Sequence, residues 1–269
     1  MSAGVQTLNP SGIVTITTDL GNKGPFLATM KGVILKHFPQ ARMIDLTHDT
    51  FVHWPAEAGF WLEHSYRYFP SGTVHLAVVD PGGTGDTEVI AVVREGHAFL
   101  GPDNGLLAGV VGAAGDSTVY RVDITQLDDQ AVSSFPGRDL LAPLAANLAS
   151  GRTRPHELGP LTTEIVPSVL PEPEGDAKHV KGTILAIDPF GNLISNIGRQ
   201  LVERFERPAV SAGGRTFALR RSYAAIPPGD YAALINSFDT LEIARSQQSA
   251  AEGLGIGRGA PVIVSEELR

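Results

Sequence analysis

The sequence predicts an α/β fold in two parts: an N-terminal α/β layered domain and a smaller C-terminal antiparallel β-barrel-like domain. Three observations lead to this prediction. Strands alternate with helices in the first half of the chain, as in α/β layered domains. Short β-type runs separated by Gly, Pro and Asp fill the last third. A Pro-rich stretch lies between them, so we place the domains at 1–165 and 179–269, joined by a linker at 166–178.

The first predicted elements are a strand, a loop and a helix. The run IVTITT at 13–18 is rich in β-branched residues and ends at Asp19, as a buried strand followed by a loop would. Apolar residues then recur at helical spacing over 25–37. The same alternation continues through three further elements: a strand at 43–46, a helix at 54–64 and a strand at 74–79.

Two acidic residues stand directly after predicted strands. Asp19 follows the strand at 13–18, and Asp80 follows the strand at 74–79; glycines come soon after both. In open α/β sheets, ligands bind beyond the carboxyl ends of the strands, and glycines let a ligand approach the backbone. The pattern therefore indicates a candidate ligand site. The alternative, that each Asp only caps the next helix or turn, has equal weight at this point.

The C-terminal part begins after a change in composition. Residues 160–178 contain four prolines and several acidic residues without strand or helix periodicity, which is typical of a linker. Beyond this segment, turn residues separate five β-type runs, at 183–187, 193–197, 216–219, 232–235 and 261–264. One short helix is expected at 246–253. These elements predict a small, mainly antiparallel barrel-like domain.

Composition excludes several classes of function. The 269 residues carry a net charge of −8 and no run of Lys or Arg, whereas binding to nucleic acid or anionic lipid requires concentrated positive charge. The chain has no Cys, which excludes thiolate nucleophiles, disulfides and Cys-ligated zinc. No basic segment precedes an apolar one at the start, and no stretch approaches the roughly 20 apolar residues of a membrane span. We expect a cytoplasmic protein with no nucleic-acid and no membrane partner.

Eight motifs occur in one order across nearly the whole chain. They are TTDLG (17–21), MKGVI (30–34), IDLTHD (44–49), FPSGTVHLAVVDPG (69–82), GPDNGLL (101–107), FPGRDLLAPLAA (135–146), IDPFGNLISNI (187–197) and NSFDTLEIA (236–244). Each motif alone is weak, but together they resemble the S-adenosylmethionine hydrolase, fluorinase and chlorinase family. The resemblance implies the two-domain fold that composition and periodicity also predict.

The resemblance also implies an assembly and a ligand. Members of this family form homotrimers in which an adenosyl substrate lies between the N-domain of one subunit and the C-domain of its neighbour. In this chain Asp19 would accept hydrogen bonds from both ribose hydroxyls. A carboxylate suits this task because its two oxygens accept two O–H donors side by side.

The C-terminal motifs imply further contacts with the substrate. Six residues are expected there: Asp188 and Asn192 at the amino-acid end, Phe190 packing beside it, Ser237 at the methionine carboxylate, and the backbone of Arg245 and Gln247 at the adenine edge. Structural explanations compete with three of these assignments. Asn192 is also a plausible turn residue, Ser237 a strand-end hydroxyl bonded locally, and Phe190 a core residue.

An aromatic residue in the second predicted helix region is a further candidate. Trp54 would line the substrate pocket, as an aromatic residue does nearby in the halogenases. Counting from His48 instead places His53 at that family position. The sequence leaves this alternative open.

The chemistry implied by the resemblance is attack on the 5′ carbon of S-adenosylmethionine, with no metal and no cofactor. In the hydrolase branch an Asp, an Arg and a His fix and polarise one water. Asp80 matches the Asp, which favours the hydrolase branch. Thr87 stands where the Arg is expected, and Pro136 stands where the His is expected. Proline has no side chain that can exchange a proton.

Several accounts of these two replacements remain open. Asp80 acts alone as a general base, or another side chain replaces the missing groups, with His53 and His97 as candidates by type. A third account is a non-catalytic protein that binds S-adenosylmethionine or adenosine. Gly137 keeps a halide-dependent reaction as a last alternative, although the charge of Asp80 would repel a halide. Hydrolysis of S-adenosylmethionine to adenosine and methionine is the first prediction, binding without turnover the second and halogenation the third.

Overall fold

The computed structural model of the chain describes residues 6–80, 88–113, 115–124 and 134–267. The chain divides into two compact units, Met1–Val169 and Leu170–Arg269. None of the helices in the described ranges has both the length and the apolar character that crossing a bilayer requires.

The first unit is built around one six-stranded sheet. Its elements are β1 (Ile13–Thr18), α1 (Phe26–His37), β2 (Arg42–Thr47), α2 (Pro55–Ser65), β3 (Val74–Val78), β4 (Val89–Arg94), β5 (His97–Pro102), α3 (Ala108–Val111), β6 (Thr118–Arg121) and α4 (Ala142–Ser150). A π-helical turn, Gly137–Leu141, leads into α4. The elements predicted as strand, helix, strand, helix and strand correspond to β1 through β3.

The order of the strands is β2-β1-β3-β5-β4-β6. β1 pairs in parallel with both β2 and β3, and β3 pairs in parallel with β5, whereas β4 runs antiparallel to β5 and β6. Because Thr18 at the end of β1 lies opposite Val78 at the end of β3, the loops after these neighbouring strands begin at the same edge of the sheet. This register is what brings the residues after the two strands together.

Helices cover both faces of this sheet. Val14 and Val78 contribute to the core cluster that contains residues of α1 and α4. Ala77 and Val79, which alternate with Val78, belong to the cluster that contains Leu62 of α2. Strands buried on both faces carry near-continuous apolar runs, which explains the sequences of β1, β3 and β4. The predicted α/β layered domain is confirmed.

The second unit is an antiparallel sheet that nearly closes on itself. Its elements are β7 (Glu174–Gly175), β8 (His179–Ile187), β9 (Leu193–Gly198), α5 (Arg199–Val202), β10 (Pro208–Ala212), β11 (Arg215–Ala218), β12 (Tyr231–Ile235), β13 (Thr240–Arg245), α6 (Ala250–Leu254) and β14 (Pro261–Glu266). The order is β11-β10-β14-β8-β9-β13-β12, with β7 beside β8. A bridge between Leu219 and Ala233 links the two ends. The predicted barrel-like form is confirmed.

Two details of the second unit differ from the sequence prediction. The strands β7, β10 and β13 were not among the five predicted runs; β13 carries Glu242, an acidic residue in mid-strand that weakens the β pattern. The helix expected at 246–253 is shorter and begins later, at Ala250. Ser249 caps this helix, because its hydroxyl accepts from the backbone N–H of Glu252 at 3.1 Å. The preceding residues form a turn in which Gln247 has φ +61°.

Candidate active site

The two carboxylates predicted at strand ends are connected through one residue of the first unit. The backbone N–H of His53 donates to Oδ2 of Asp19 at 3.0 Å. The ring nitrogen Nδ1 of the same His53 lies 3.3 Å from Oδ1 of Asp80. The side chains of His53 and Asp80 are 74% and 47% exposed. A single solvent-facing histidine therefore contacts both candidate carboxylates.

The turn that carries His53 is held from the N-terminal end of α2. The carboxylate of the buried Glu57 accepts from the backbone N–H of Phe51 at 3.1 Å. The backbone N–H of Trp54 donates to the carbonyl of Phe51 at 3.1 Å, and the two rings meet edge to face with centroids 6.2 Å apart. His53 has φ +58°, which turns the chain sharply. The residue that reaches both carboxylates is His53, and Trp54 packs on Phe51.

Asp80 is held in an uncommon backbone conformation by Asn104. Asp80 has φ +42°, a region that few residues other than glycine adopt. The side-chain amide of Asn104 donates to the carbonyls of Val79 and Asp80 at 2.9 and 3.0 Å. Asn104 lies in the GPDNG segment after β5, the parallel neighbour of β3. It was not singled out from the sequence, because only its position in space links it to Asp80.

Hydrogen bonds to the loop after β2 also hold the loop that carries Asp19. The hydroxyl of Thr50 donates to the carbonyl of Thr18 at 3.1 Å, and the backbone N–H of Gly21 donates to the carbonyl of His48 at 2.8 Å. The ring of His48 is buried, with Nδ1 lying 3.0 Å from the hydroxyl of Thr18. Two hydrogen bonds therefore hold the loop that carries Asp19 against the loop after β2.

A charged pair lies on the far side of His48. Asp45 lies 3.0 Å from Nε2 of His48 and 2.7 Å from Nζ of Lys31. Burial alone would raise the pKa of the Asp45 carboxyl, but the hydrogen bond from Lys31 and the proximity of His48 outweigh it and the pKa is lowered. The ionised Asp45 therefore lies beside the buried ring of His48.

The segment before α4 is packed closely against the sheet. The space that a Cβ on Gly137 would occupy is only 2.9 Å from Cγ1 of Val78, so packing already explains the glycine at this position. Pro136 directly precedes the π-helical turn. Arg138 and Asp139 form a bidentate ion pair with each other at 2.6 and 2.8 Å. Thr87, where the family resemblance expects an Arg, lies outside the described residues.

His97, the other histidine considered as a base, lies elsewhere in the first unit. It begins β5, at the edge opposite to the one that Asp80 follows, because β5 and β3 are parallel. Its Nδ1 lies 3.1 Å from Nε2 of the buried His75. Its position removes His97 from the candidate site.

In the second unit, Asp188 and Asn192 are brought together in one tight loop between β8 and β9. Oδ1 of Asp188 accepts from the backbone N–H groups of Phe190 and Asn192, each at 2.9 Å, and Oδ2 accepts from the side-chain amide of Asn192 at 2.9 Å. Phe190 is 78% exposed, which rules out the alternative of core packing within this unit. Asn192 is buried and fixed by Asp188.

The loop at 188–192 contacts the turn that follows β13. The carbonyl of Gly191 accepts from the backbone N–H of Ala251 at 3.0 Å, and a Cβ on Gly191 would meet Ser249. The side chain of Arg245 bonds to the carbonyl of Gly229 at 3.0 Å, while Gln247 is exposed in the turn. The structure thus joins the DPFGN loop to Ser249 and Ala251, at the start of α6, which are distant in sequence.

Ser237 lies in the turn between β12 and β13, and a buried acid lies on β13. Ser237 is exposed just after β12. Glu242 of β13 is buried and accepts from the hydroxyl of Tyr223 at 2.6 Å. Burial raises the pKa of the Glu242 carboxyl; the hydrogen bond from Tyr223 opposes this shift, and the negative charge of Asp188 adds to it. Neither Tyr223 nor Glu242 was singled out from the sequence, since nothing in their local pattern links them to Asp188.

Within residues 6–80, 88–113, 115–124 and 134–267, no group of three or more His, Cys, Asp or Glu side chains is arranged to hold a metal ion.

Comparison with known proteins identifies the family of both units. Residues 14–159 match the model of the SAM hydroxide adenosyltransferase N-terminal domain, and residues 182–263 match that of the C-terminal domain. A protein of Thermus thermophilus named (R)-S-adenosyl-L-methionine hydrolase is 34% identical over 93% of this chain and 98% of its own length. A fluorinase of an Actinoplanes species is 28% identical over 73% of this chain and 75% of its own length.

A solved structure shows the same fold. The crystal structure of an uncharacterized conserved protein from Thermotoga maritima superimposes with a TM-score of 0.84, at 26% identity, over 94% of this chain and 100% of that one. Matches to both family models, together covering most of the sequence, agree with the two units and the order of the motifs. The chain therefore belongs to the SAM hydroxide adenosyltransferase family.

Proposed function

We propose that this protein hydrolyses S-adenosylmethionine at the 5′ carbon, forming adenosine and methionine. The observation that carries the proposal is the pair of carboxylates, Asp19 and Asp80, held at one sheet edge by contacts to the same histidine, His53. The family and its relatives named as S-adenosylmethionine hydrolases support the choice of substrate and reaction.

In this proposal Asp19 binds the ribose. Its Oδ2 accepts one N–H from His53, which orients the carboxylate, and the other lone pairs of the carboxylate accept from the two ribose hydroxyls in this proposal. The fixed backbone around Thr18 and Gly21 keeps this acceptor in place before the substrate arrives. Preorganised acceptors lose little entropy on binding, which favours affinity.

The second unit supplies the contacts to the rest of the substrate in this proposal. Asp188 fixes Asn192, which contacts the amino-acid end, and the exposed ring of Phe190 packs on the ligand. Ser237 contacts the methionine carboxylate, and the backbone at Arg245 and Gln247 contacts adenine. We further propose a homotrimer, with each site completed by the C-terminal unit of a neighbouring subunit.

The reaction requires a water molecule placed in line with the bond to be broken. The water oxygen bonds to the 5′ carbon, the carbon–sulfur bond breaks, and its electron pair stays on sulfur, giving neutral methionine. One proton leaves the water. Asp80, beside the ring of His53, is the carboxylate at the reaction centre in this proposal. A positioned acid–base group contributes about 10²–10⁴-fold to such a rate.

The test is to incubate the purified protein with S-adenosylmethionine in ¹⁸O-labelled water, with and without chloride, and to separate the products by chromatography. We expect adenosine carrying one ¹⁸O atom at the 5′ position, in equal amount with and without chloride. Chlorinated adenosine would assign the protein to halide chemistry instead. Calorimetric binding of S-adenosylmethionine without product over hours would make it a non-catalytic binder. Analytical ultracentrifugation tests the trimer separately.

A carboxylate variant tests the role of Asp80. Asp80→Asn keeps the size of the side chain and removes its charge, so kcat should fall about 10²–10⁴-fold. Asp116→Asn is the matched control, since Asp116 is an exposed acid in the loop before β6. The control should keep the kcat of the parent protein. Equal turnover by Asp80→Asn and the parent would remove Asp80 from the mechanism.

A further inference from the structure

One ring nitrogen of His53 lies beside the carboxylate of Asp80, and its backbone N–H donates to Asp19. Within the described part of the chain, Nδ1 is the ring nitrogen with a partner, the carboxylate of Asp80 at 3.3 Å. In imidazole the two nitrogens point in divergent directions, and hydrogen bonding of one determines the protonation of the other. When Nδ1–H donates to Asp80, Nε2 is left as a proton acceptor on a ring that is 74% exposed.

The backbone of His53 sets the position of its ring relative to Asp19, the carboxylate proposed to bind ribose. The backbone N–H of His53 donates to Asp19, so the distance between the imidazole and this carboxylate depends on the backbone and side-chain torsions of His53 alone. His53 adopts φ +58°, and the turn is anchored by Glu57 through Phe51. A strained conformation kept at a ligand site suggests a functional demand on the side chain.

We propose that His53 is the general base of the hydrolysis and that Asp80 orients it, an inference that rests on the proposed function. Nδ1–H of His53 donates to Asp80, and Nε2 takes a proton from the attacking water. As that proton moves, the water oxygen bonds to the 5′ carbon and the carbon–sulfur electron pair passes to sulfur. The carboxylate of Asp80 stabilises the imidazolium, which then releases its proton to solvent.

This assignment gives the two residues different roles. Asp80 acts through the ring of His53, as a positioning residue, while His53 exchanges the proton. Pro136 offers no proton acceptor, and His97 lies at the opposite strand end, so His53 is the imidazole next to Asp19 and Asp80 among the described residues.

The backbone conformation allows a clean substitution. His53→Gly and His53→Asn both accept φ +58° readily, because Gly and Asn are favoured in the left-handed region. Both keep the backbone N–H that donates to Asp19, so ribose binding should be preserved. His53→Gly leaves a space the size of the ring, whereas His53→Asn fills part of it with a side chain that is not a base.

The experiment measures kcat and KM for both variants with increasing imidazole. We expect kcat to fall at least about 100-fold in both, with KM changed by only a few-fold. Added imidazole should restore turnover of His53→Gly in proportion to its concentration and leave His53→Asn unchanged. The parent protein and His179→Asn, which changes an exposed histidine of the second unit, are controls that should show full kcat and no response to imidazole.

The results separate this inference from the proposed function. If the parent protein forms no adenosine, the proposed function fails. If the parent is active and either variant keeps its kcat, His53 is not the base. Loss of turnover in His53→Gly without recovery in imidazole would also overturn the inference, since it would indicate a structural role for the side chain.

Discussion

A buried histidine pair in the first unit predicts sensitivity to acid. His75 has no solvent exposure, and its Nδ1 lies 2.7 Å from the hydroxyl of Thr15 while its Nε2 lies 3.1 Å from Nδ1 of His97. Its ring stacks on Phe99 with centroids 4.8 Å apart. Burial, with a contribution from the charge of His97, lowers the pKa of His75 from 6.5 to about 3. The fold therefore holds this ring in the neutral form.

The sign and size of the effect follow from linkage. Well above pH 6.5 neither the folded nor the unfolded state protonates His75, so the free energy of unfolding does not depend on it. Between pH 6.5 and about 3 mainly the unfolded state takes up the proton, and the folded state is destabilised. Because half of the unfolded chains already carry this proton at pH 6.5, lowering the pH from 6.5 to 4.5 should cost about 2 kcal/mol.

The measurement is urea unfolding followed by circular dichroism at several pH values, compared between the parent protein and His75→Gln. The amide of Gln can still bond to Thr15 and His97 but does not titrate. The variant should be less stable at pH 7, by about 1–3 kcal/mol, because the packing on Phe99 is changed. Its free energy of unfolding should nevertheless fall less steeply below pH 6.5. Parallel pH dependences for the two proteins would refute the reasoning.

Two further predictions concern residues that position the site. Asn104→Ala removes both hydrogen bonds that hold the backbone of Asp80. In a steady-state assay kcat should fall about tenfold or more, which corresponds to about 1.4 kcal/mol of lost transition-state stabilisation. An unchanged kcat would show that Asp80 needs no such support. Gly137→Ala would force a Cβ to 2.9 Å from Val78 and should lower the free energy of unfolding by about 1–3 kcal/mol. Its control, Gly32→Ala in α1, meets no atom within 4 Å and should be neutral or stabilising; equal effects of the two would contradict the packing argument.

Local patterns were sufficient for most of the architecture. The β-branched run before Asp19 and the helical spacing after it predict β1 and α1 because both depend on neighbours in sequence. Asp80 was located by the same rule, since a carboxyl strand end is a position in sequence as well as in space. The strand β13 was missed because its acidic Glu242 is buried through a tertiary contact with Tyr223.

The site shows where local patterns stop being informative. His53 was one of two histidines considered by type, and its contact with Asp80 depends on the parallel pairing of β1 with both β2 and β3 and on a turn with positive φ. Asn104 reaches Asp80 from a loop 24 residues away. No residue-by-residue periodicity encodes either contact.

By itself, the sequence determined the two-part α/β and β-barrel-like organisation, the strand-end acids Asp19 and Asp80, and the family that the ordered motifs indicate. Only the tertiary structure decided that His53 lies between these acids, that Asn104 holds one of them and that Asp188 is bonded within its own loop. The physical reason is the range of the interactions. Secondary structure follows from periodicity over a few residues, whereas a hydrogen bond between distant loops exists only once strand register and packing have brought them within about 3 Å.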